Sequence, residues 1–274
     1  EGVRDIYNGE CRRKLAVQEK ILHTLYLYGY EHIQTPSFEY ADIFNEDRGS
    51  VGAQEMFKFF DRDNNTLVLR PDITPSIARC VAKYYADEEL PVRLCYTGNT
   101  YTNTLKLQGK LKEVTQIGAE LVNDDSSAAD AEIIATVIDC FNEIGISDFQ
   151  IEIGQIDYFK GLVAESGISE DEEDQIKEYI HIKNFFGLEE YVDALDISDS
   201  LKKAFVAFDS LFGGISMLDK AEGYVSNETS LEAVKRLRRV YAALECYGYQ
   251  DHISFDLGML DGYNYYTGII FRGY

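Results

Sequence analysis

Hydrophobic spacing over the first 85 residues changes from helical to extended and back to helical. A helical stripe predicts an amphipathic helix over residues 9–28, which Gly29 would end. The apolar positions of that stripe are Leu15, Ile21, Leu22 and Leu25. An extended segment broken by Pro36 follows, and residues 55–72 predict a hairpin turning at 63–65. A second helix is expected after Pro75, because proline suits a first helical turn.

The rest of the chain contains strands separated by one long helical region. Residues 95–122 predict strand, loop and strand, and Ser126 or Ser127 can cap the helix that follows. The stretch FQIEIG alternates as a strand, and residues 158–250 have helical spacing with acidic loops such as SEDEED. Strand patterns return in HISFDLGML and YNYYTGIIFR. This order predicts an α+β fold, with a mostly antiparallel sheet, flanking helices and a helical insertion near 158–250.

Composition narrows the function classes. The chain has 274 residues, 45% of them hydrophobic, and a formal net charge of −22. Nucleic-acid binding depends on Lys and Arg that neutralise phosphates, so no nucleic-acid partner is expected. No apolar run is long enough to cross a bilayer. The five cysteines form no C-x-x-C pair and the four histidines are far apart. These patterns indicate a cytoplasmic protein with reduced thiols and without a metal site.

One strand carries polar residues on a face where a core is expected. Side chains alternate along 113–122, so Gln116, Gly118 and Glu120 share one face with valines at either end. The other face, with Thr115, Ile117, Ala119 and Leu121, has the character of ordinary core. The polar face is either the solvent side of an antiparallel sheet or the floor of a pocket. In a pocket, Gly118 would leave room, while Gln116 and Glu120 would bind an amine or an imidazole N–H.

Two further stretches offer ligand-binding groups. In LRPDITPSIAR, two prolines enclose Asp72 and Thr74, which together can hold a protonated amine. The alternative is a proline-rich turn with a helix cap at Thr74. In DGYNYYTGIIFR, Tyr265 and Tyr266 stand beside a glycine and could form a slot for a flat ring. The alternative for this stretch is a core strand with buried tyrosines.

Together these motifs resemble the catalytic domain of class II histidyl-tRNA synthetases over essentially the whole of 1–274. The resemblance includes EGVRD, GYEHIQTPSFEYADIF, the RPDITP loop, QIGAELV and GYNYYTGIIF. It implies a single synthetase-like domain and a homodimer built around Pro36, unless Phe38 and Tyr40 are simply sheet core. It also implies a histidine site formed by Asp72, Thr74, Gln116, Glu120, Tyr265 and Tyr266. Asp72 stands where the family has Glu.

The departures from the synthetase pattern concern ATP. Where synthetases have F-R-x-E, with an Arg that grips the α-phosphate, this chain has Tyr101-Thr102-Asn103-Thr104. Synthetases also have an Arg just before the first glycine of the motif that here reads GYNYYTG. This chain has Asp261 at that position. An anion in place of a cation there would cost several kcal/mol of transition-state stabilisation, on the order of a lost oxyanion donor. The chain therefore lacks the residues that the resemblance assigns to catalysis, and no cofactor is expected.

This combination is similar to a family of synthetase paralogues that serve as regulatory subunits of ATP phosphoribosyltransferase. The resemblance implies a short-form catalytic subunit as partner, activation of that subunit, and histidine feedback on the first step of histidine biosynthesis. One alternative is a histidyl-tRNA synthetase fragment, and another is a synthetase-like sensor domain of a different system. The chain stops at Tyr274 directly after a predicted strand, so we expect the native protein to continue.

Overall fold

The structure is a computed structural model that describes residues 2–44, 51–103, 109–260 and 266–274. Its contacts divide the chain into two compact units. The first contains Glu1–Asp125 and Thr136–Ile146, and the second contains Ser126–Ala135 and Ser147–Tyr274. The expectation of one domain with a helical insertion near 158–250 stays a prediction. Within the described residues, no helix is long and apolar enough to span a membrane.

The first unit contains two small sheets and the helices that accompany them. Its elements are α1 (Asn8–Leu27), β1 (Glu31–His32), β2 (Phe38–Tyr40), β3 (Lys58–Phe60), β4 (Thr66–Leu69), α2 (Thr74–Tyr84), β5 (Val92–Tyr101) and β6 (Glu113–Val122). One sheet has the order β1-β5-β6 and the other the order β2-β4-β3. The predicted hairpin is confirmed as β3 and β4, and Asn64 adopts a φ of +62° in its turn.

The first predicted helix is present, but its apolar stripe is only partly buried. Leu25 is 4% exposed, whereas Leu15 is 57% exposed. The predicted stripe therefore contains both buried and exposed positions. Helical spacing identifies which residues share a side, but it does not say how far along the helix the neighbouring strands extend.

The chain continues through α3 (Ser127–Ile144), whose start is stabilised by Ser126. The Ser126 hydroxyl accepts a hydrogen bond of 3.1 Å from the backbone N–H of Ala129. The elements after it are β7 (Ile151–Gln155), α4 (Ile156–Ser166), α5 (Glu170–His181), α6 (Phe185–Asp193), α7 (Asp199–Val206), β8 (Phe212–Gly213), α8 (Met217–Gly223), α9 (Glu228–Tyr247), β9 (Ile253–Asp256) and β10 (Ile269–Gly273). The four strands form a sheet in the order β10-β7-β9-β8.

The helical character of 158–250 is confirmed, although SEDEED is not a loop. Ser169 accepts from the Glu172 backbone N–H, and the Glu172 carboxylate accepts from the Ser169 N–H at 2.8 Å. This reciprocal capping box starts α5, and the acidic residues of its first turn interact favourably with the helix dipole. The prediction of a loop is wrong because it was based on the number of acidic residues alone. The S-x-x-E spacing of Ser169 and Glu172 indicates the start of a helix.

The sheets confirm the α+β class with a mixed strand order. Most neighbouring strands are antiparallel, but β1 lies parallel to β5 and β7 lies parallel to β9. In the second unit, Phe159 packs edge-on against Phe205 and Phe208, with centroids 5.9 and 5.8 Å away. All three rings are at most 1% exposed. These three aromatic rings therefore form part of the fully buried core of this unit.

Candidate ligand site

The polar face of β6 lies opposite three residues of β5. Leu94 is paired with Glu120, Tyr96 with Gly118, and Gly98 with Gln116. Directly opposed residues of an antiparallel pair project to the same side, so these six positions form one surface. Gln116 is exposed and Glu120 is half-buried. The surface is thus neither a plain solvent face nor a closed core.

Glu120 is held by a threonine from the loop that opens α2. The Thr74 hydroxyl donates a 2.7 Å hydrogen bond to Glu120 Oε1. Burial raises the pKa of Glu120 above its usual value, the bond from Thr74 opposes this rise, and the nearby charge of Asp72 adds to it. The predicted proximity of Thr74, Asp72 and Glu120 is therefore present in the structure.

The Asp72 side chain organises the same loop by accepting hydrogen bonds from backbone N–H groups of the loop. Asp72 Oδ1 accepts from the N–H of Ile73 at 2.6 Å and from that of Thr74 at 3.3 Å. The cap at the start of α2 is thus supplied by Asp72 rather than by Thr74, which leaves the Thr74 hydroxyl available for Glu120. The alternative of a helix cap at Thr74 is therefore wrong in its residue, and the ligand site stays a prediction.

Gly118 does not leave open space, contrary to the expectation from sequence. A Cβ at Gly118 would collide with the phenol oxygen and ring of Tyr96. Tyr96 is 5% exposed and reaches across from β5. The glycine is therefore explained by a buried tyrosine, whose approach could be found only from the pairing of the two strands.

A second buried side chain that the sequence analysis missed is Arg70, at the end of β4. Its Nε donates to the Asn99 carbonyl at 2.8 Å, and its Nη1 donates to the Thr35 carbonyl at 2.8 Å and the Pro36 carbonyl at 3.2 Å. A Cβ at Gly98 would collide with its Nη2. Arg70 therefore lies over Gly98 on the face that carries Gln116 and joins its own segment to residues 35–36 and to Asn99. Burial lowers the pKa of Arg70 from the ordinary value.

Of the two tyrosines of the last motif, the structure describes only Tyr266. Tyr265 lies outside the described residues, as do Asp261 and Thr104. Tyr266 belongs to the second unit and is 47% exposed. It precedes β10, so the expectation that it lies on a strand is wrong. Lys160 donates a 3.1 Å hydrogen bond to its carbonyl oxygen.

Thr102, which stands where synthetases have the arginine that grips the α-phosphate, is among the described residues. The Thr102 backbone N–H donates to the Lys112 carbonyl at 2.9 Å, directly after β5. A threonine hydroxyl there is uncharged and shorter than a guanidinium. Over the ranges that the structure describes, no three His, Cys, Asp or Glu side chains come together as metal ligands.

Chemically, the surface suits a cation or an N–H donor. Asp72 and Glu120 contribute two carboxylates, while the guanidinium of Arg70 is committed to carbonyl groups. Carboxylates bind ammonium and imidazolium groups through charge-assisted hydrogen bonds. The same surface disfavours an anionic group such as a phosphate.

Comparison with known proteins shows the family of the chain. The family model for histidyl-tRNA synthetase matches residues 2–274. A curated relative from Acetivibrio thermocellus, named ATP phosphoribosyltransferase regulatory subunit, is 41% identical over 274 residues, covering 100% of this chain and 66% of that protein. The chain thus spans slightly less than two thirds of that relative's length.

Two solved structures are similar in fold. One is an ATP phosphoribosyltransferase regulatory subunit/histidyl-tRNA synthetase from Bacillus halodurans, with a TM-score of 0.92 and 34% identity over 100% of this chain and 71% of that one. The other is a chain of the ATP phosphoribosyl transferase (HisG:HisZ) complex from Thermotoga maritima, with a TM-score of 0.69 and 17% identity over 96% and 86%. The second likeness concerns the fold alone.

The fold and the matching model define a protein of the histidyl-tRNA synthetase class. Within that class, the chain belongs to the family of ATP phosphoribosyltransferase regulatory subunits. The relatives' names confirm the prediction that it groups with regulatory subunits rather than with synthetases.

Proposed function

We propose that this chain acts as a non-catalytic subunit that activates a short-form ATP phosphoribosyltransferase and makes it sensitive to histidine. The observation that carries the proposal is a surface with Asp72, Thr74 and Glu120 in place, together with Thr102 after the end of β5, where the synthetase pattern has an arginine. Such a site can hold an amine-bearing ligand without holding a triphosphate. The regulatory-subunit name of the Acetivibrio relative supports the partner assignment.

Histidine is the proposed ligand. Glu120 would accept from an imidazole N–H, Gln116 would donate to or accept from the ligand, and Asp72 and Thr74 would face the ammonium. Tyr265 and Tyr266 remain part of the proposed site by resemblance alone. A charge-assisted hydrogen bond of this kind contributes roughly 1.5–3 kcal/mol, enough to make one carboxylate decisive for affinity.

A homodimer is part of the same proposal, and the β2-β4-β3 sheet supports it. Tyr40 and Phe59 both pair with Leu67, and Phe38 lies two residues from Tyr40, so all three rings are on one face. Phe38 is 52% exposed and Tyr40 is 56% exposed, which argues against their being sheet core. We call Phe38, Tyr40 and Phe59 the aromatic face. A second copy of this chain would cover it.

A cytoplasmic location completes the proposal. All five cysteines are free thiols, three of them partly or fully exposed as Cys11, Cys80 and Cys246. Free thiols persist in reducing compartments.

Two assays on the full chain test the proposal against its rival. Sedimentation of the chain with a short phosphoribosyltransferase from the same genome should give a joint complex. Exchange of pyrophosphate into ATP, with histidine added, should remain at background. Exchange at a rate typical of enzymes would instead identify a histidyl-tRNA synthetase. A chain that sediments apart from the phosphoribosyltransferase would favour the synthetase-like sensor of another system.

A further inference from the structure

A cavity lies between α1 and β6, on the side of β6 that faces away from the proposed histidine site. Its volume is about 360 Å³, which is within the range of small-molecule sites. From the strand, Thr115 and Ile117 line it, and these alternate along β6 with Gln116 and Glu120. From α1, it is lined by residues that share one side of the helix: Glu10, Arg13, Lys14, Val17 and Gln18.

The Lys14 ammonium is fixed at the wall of this cavity. Its Nζ donates a hydrogen bond to the Thr115 hydroxyl. That hydroxyl donates to Asn99 Oδ1 at 2.8 Å, and Asn99 Nδ2 donates to Glu113 Oε1 at 2.6 Å. An ammonium has three hydrogens, and within the described ranges Lys14 uses one of them. Lys14 is therefore held in position and can still donate to a ligand.

Arg13 adds a second cation to the cavity. Its Nη1 lies 3.6 Å from the position that a Cβ on Gly9 would occupy, so the guanidinium folds back toward the start of α1. In the part of the chain that the structure describes, this guanidinium has no hydrogen bond or ion pair. The carboxylate that lines the cavity, Glu10, is paired with Arg4. Neither Arg13 nor Lys14 is thus neutralised by a described carboxylate.

The local charge of α1 differs from that of the chain as a whole. The helix has four cations, Arg12, Arg13, Lys14 and Lys20, against Glu10 and Glu19, whereas the chain has a formal net charge of −22. Two neighbouring cations repel each other unless an anion lies between them. The cavity also offers apolar surface, since Val17 is 39% exposed and Ile117 is half-buried. Its chemistry therefore suits an anion that carries an apolar group.

We infer that this cavity binds a small phosphate monoester, with the phosphate between Arg13 and Lys14 and the organic group against Val17 and Ile117. A phosphate monoester carries about 1.5–2 negative charges at pH 7, which matches two cations. Its oxygens accept charge-assisted hydrogen bonds from both side chains. The cavity is a second ligand site, independent of the proposed histidine site on the other face of β6.

Phenyl phosphate, titrated into the full chain, tests the inference by calorimetry and by the backbone amide signals in NMR. It should bind and shift the signals of Val17 and Ile117. Inorganic phosphate should bind about fivefold more weakly, because it has no apolar group to bury. Arg13→Met and Lys14→Met should each weaken phenyl phosphate binding about tenfold, because each removes a charge-assisted hydrogen bond.

Arg12→Met is the matched control, since it removes the same charge from an exposed residue of α1 that does not line the cavity. It should leave the affinity unchanged. Arg13→Met keeps the test decisive if Lys14→Met disturbs the contact between α1 and β6. Wild-type affinity in folded Arg13→Met, or an equal loss in Arg12→Met, would overturn the inference. Absence of binding, or equal affinity for phenyl phosphate and inorganic phosphate, would overturn it too, and none of these results bears on histidine.

Discussion

At the scale of single residues, Glu120 is the most informative side chain. Its charged form destabilises the folded chain when no ligand is bound. Burial raises its pKa above the ordinary 4.5, so its charged form is less stable in the folded chain than in the unfolded chain. Its contribution therefore favours folding below about pH 4.5 and is lost as pH rises through the folded pKa. A carboxylate with this cost is expected where a ligand supplies the missing partner.

Glu120→Gln should separate ligand binding from stability. It should weaken histidine binding about tenfold or more by calorimetry, because the amide cannot give a charge-assisted bond. It should also raise the melting temperature of the ligand-free chain, and the gain should grow as pH rises above about 4.5. Glu89→Gln is the matched control, since it makes the same substitution at an exposed carboxylate outside the proposed site. Equal histidine affinity in wild type and Glu120→Gln would refute the site.

Several site residues could be predicted from sequence because their relation is local. The two-residue period of a strand places Gln116 and Glu120 on one face, and two prolines fix the loop with Asp72. Tyr96 and Arg70 were missed because their roles depend on which strands pair and in what register. The signal was present only as Gly98 and Gly118, whose missing Cβ atoms accommodate those two side chains.

At the scale of elements, an ion pair joins β2 to α2. Glu39 is 9% exposed, and its Oε1 accepts from Arg79 Nη2 at 2.6 Å and from Nε at 3.2 Å. Arg79→Met leaves a buried carboxylate without its partner and should cost about 2–3 kcal/mol, below the roughly 3–5 kcal/mol of a fully buried pair because Arg79 is partly exposed. Urea denaturation measures this loss.

The exposed pair of Arg4 and Glu10 provides the comparison. Arg4→Met should change the free energy of unfolding by less than about 1 kcal/mol. Similar losses for Arg79→Met and Arg4→Met would show that Glu39 is solvated. Hydrophobic periodicity predicted both β2 and α2 approximately, but it could not predict a contact between residues 40 positions apart.

The capping box at Ser169 is an element-scale feature that could have been predicted. Ser169→Ala removes the side-chain acceptor and should destabilise the chain by about 1 kcal/mol, whereas Ser166→Ala, near the end of α4, should have a smaller effect. Thermal unfolding of the two variants gives the comparison. If both variants melt at the wild-type temperature, the box does not contribute to stability.

At the scale of the whole molecule, the aromatic face is the feature that an isolated chain leaves unexplained. Replacing Phe38 and Tyr40 together by Asp should shift the protein from dimer to monomer in sedimentation, because two charges would be buried between the copies. Phe60→Asp is the matched control. Phe60 is 70% exposed but lies next to Phe59, on the opposite face of β3. A wild-type chain that stays monomeric at micromolar concentrations would contradict the dimer.

The class of the whole molecule could be predicted because its motifs are distinctive, whereas its division into two compact units could not. Alternation of strand and helical patterns indicated α+β, but parallel neighbours such as β1 and β5 follow from connections between distant segments. The net charge of −22 predicts that the chain does not bind nucleic acid, and this stays a prediction. Charge alone says nothing of which protein partner is recognised.

The central claim is that this chain regulates a catalytic partner through a histidine site without catalysing a reaction itself. The most direct measurement is the initial rate of a short ATP phosphoribosyltransferase from the same genome, with and without the full chain, across histidine concentrations. We predict that the chain raises the rate, that histidine lowers it again, and that Glu120→Gln keeps the activation but requires about tenfold more histidine for inhibition. A rate that is the same with and without the chain would contradict the account.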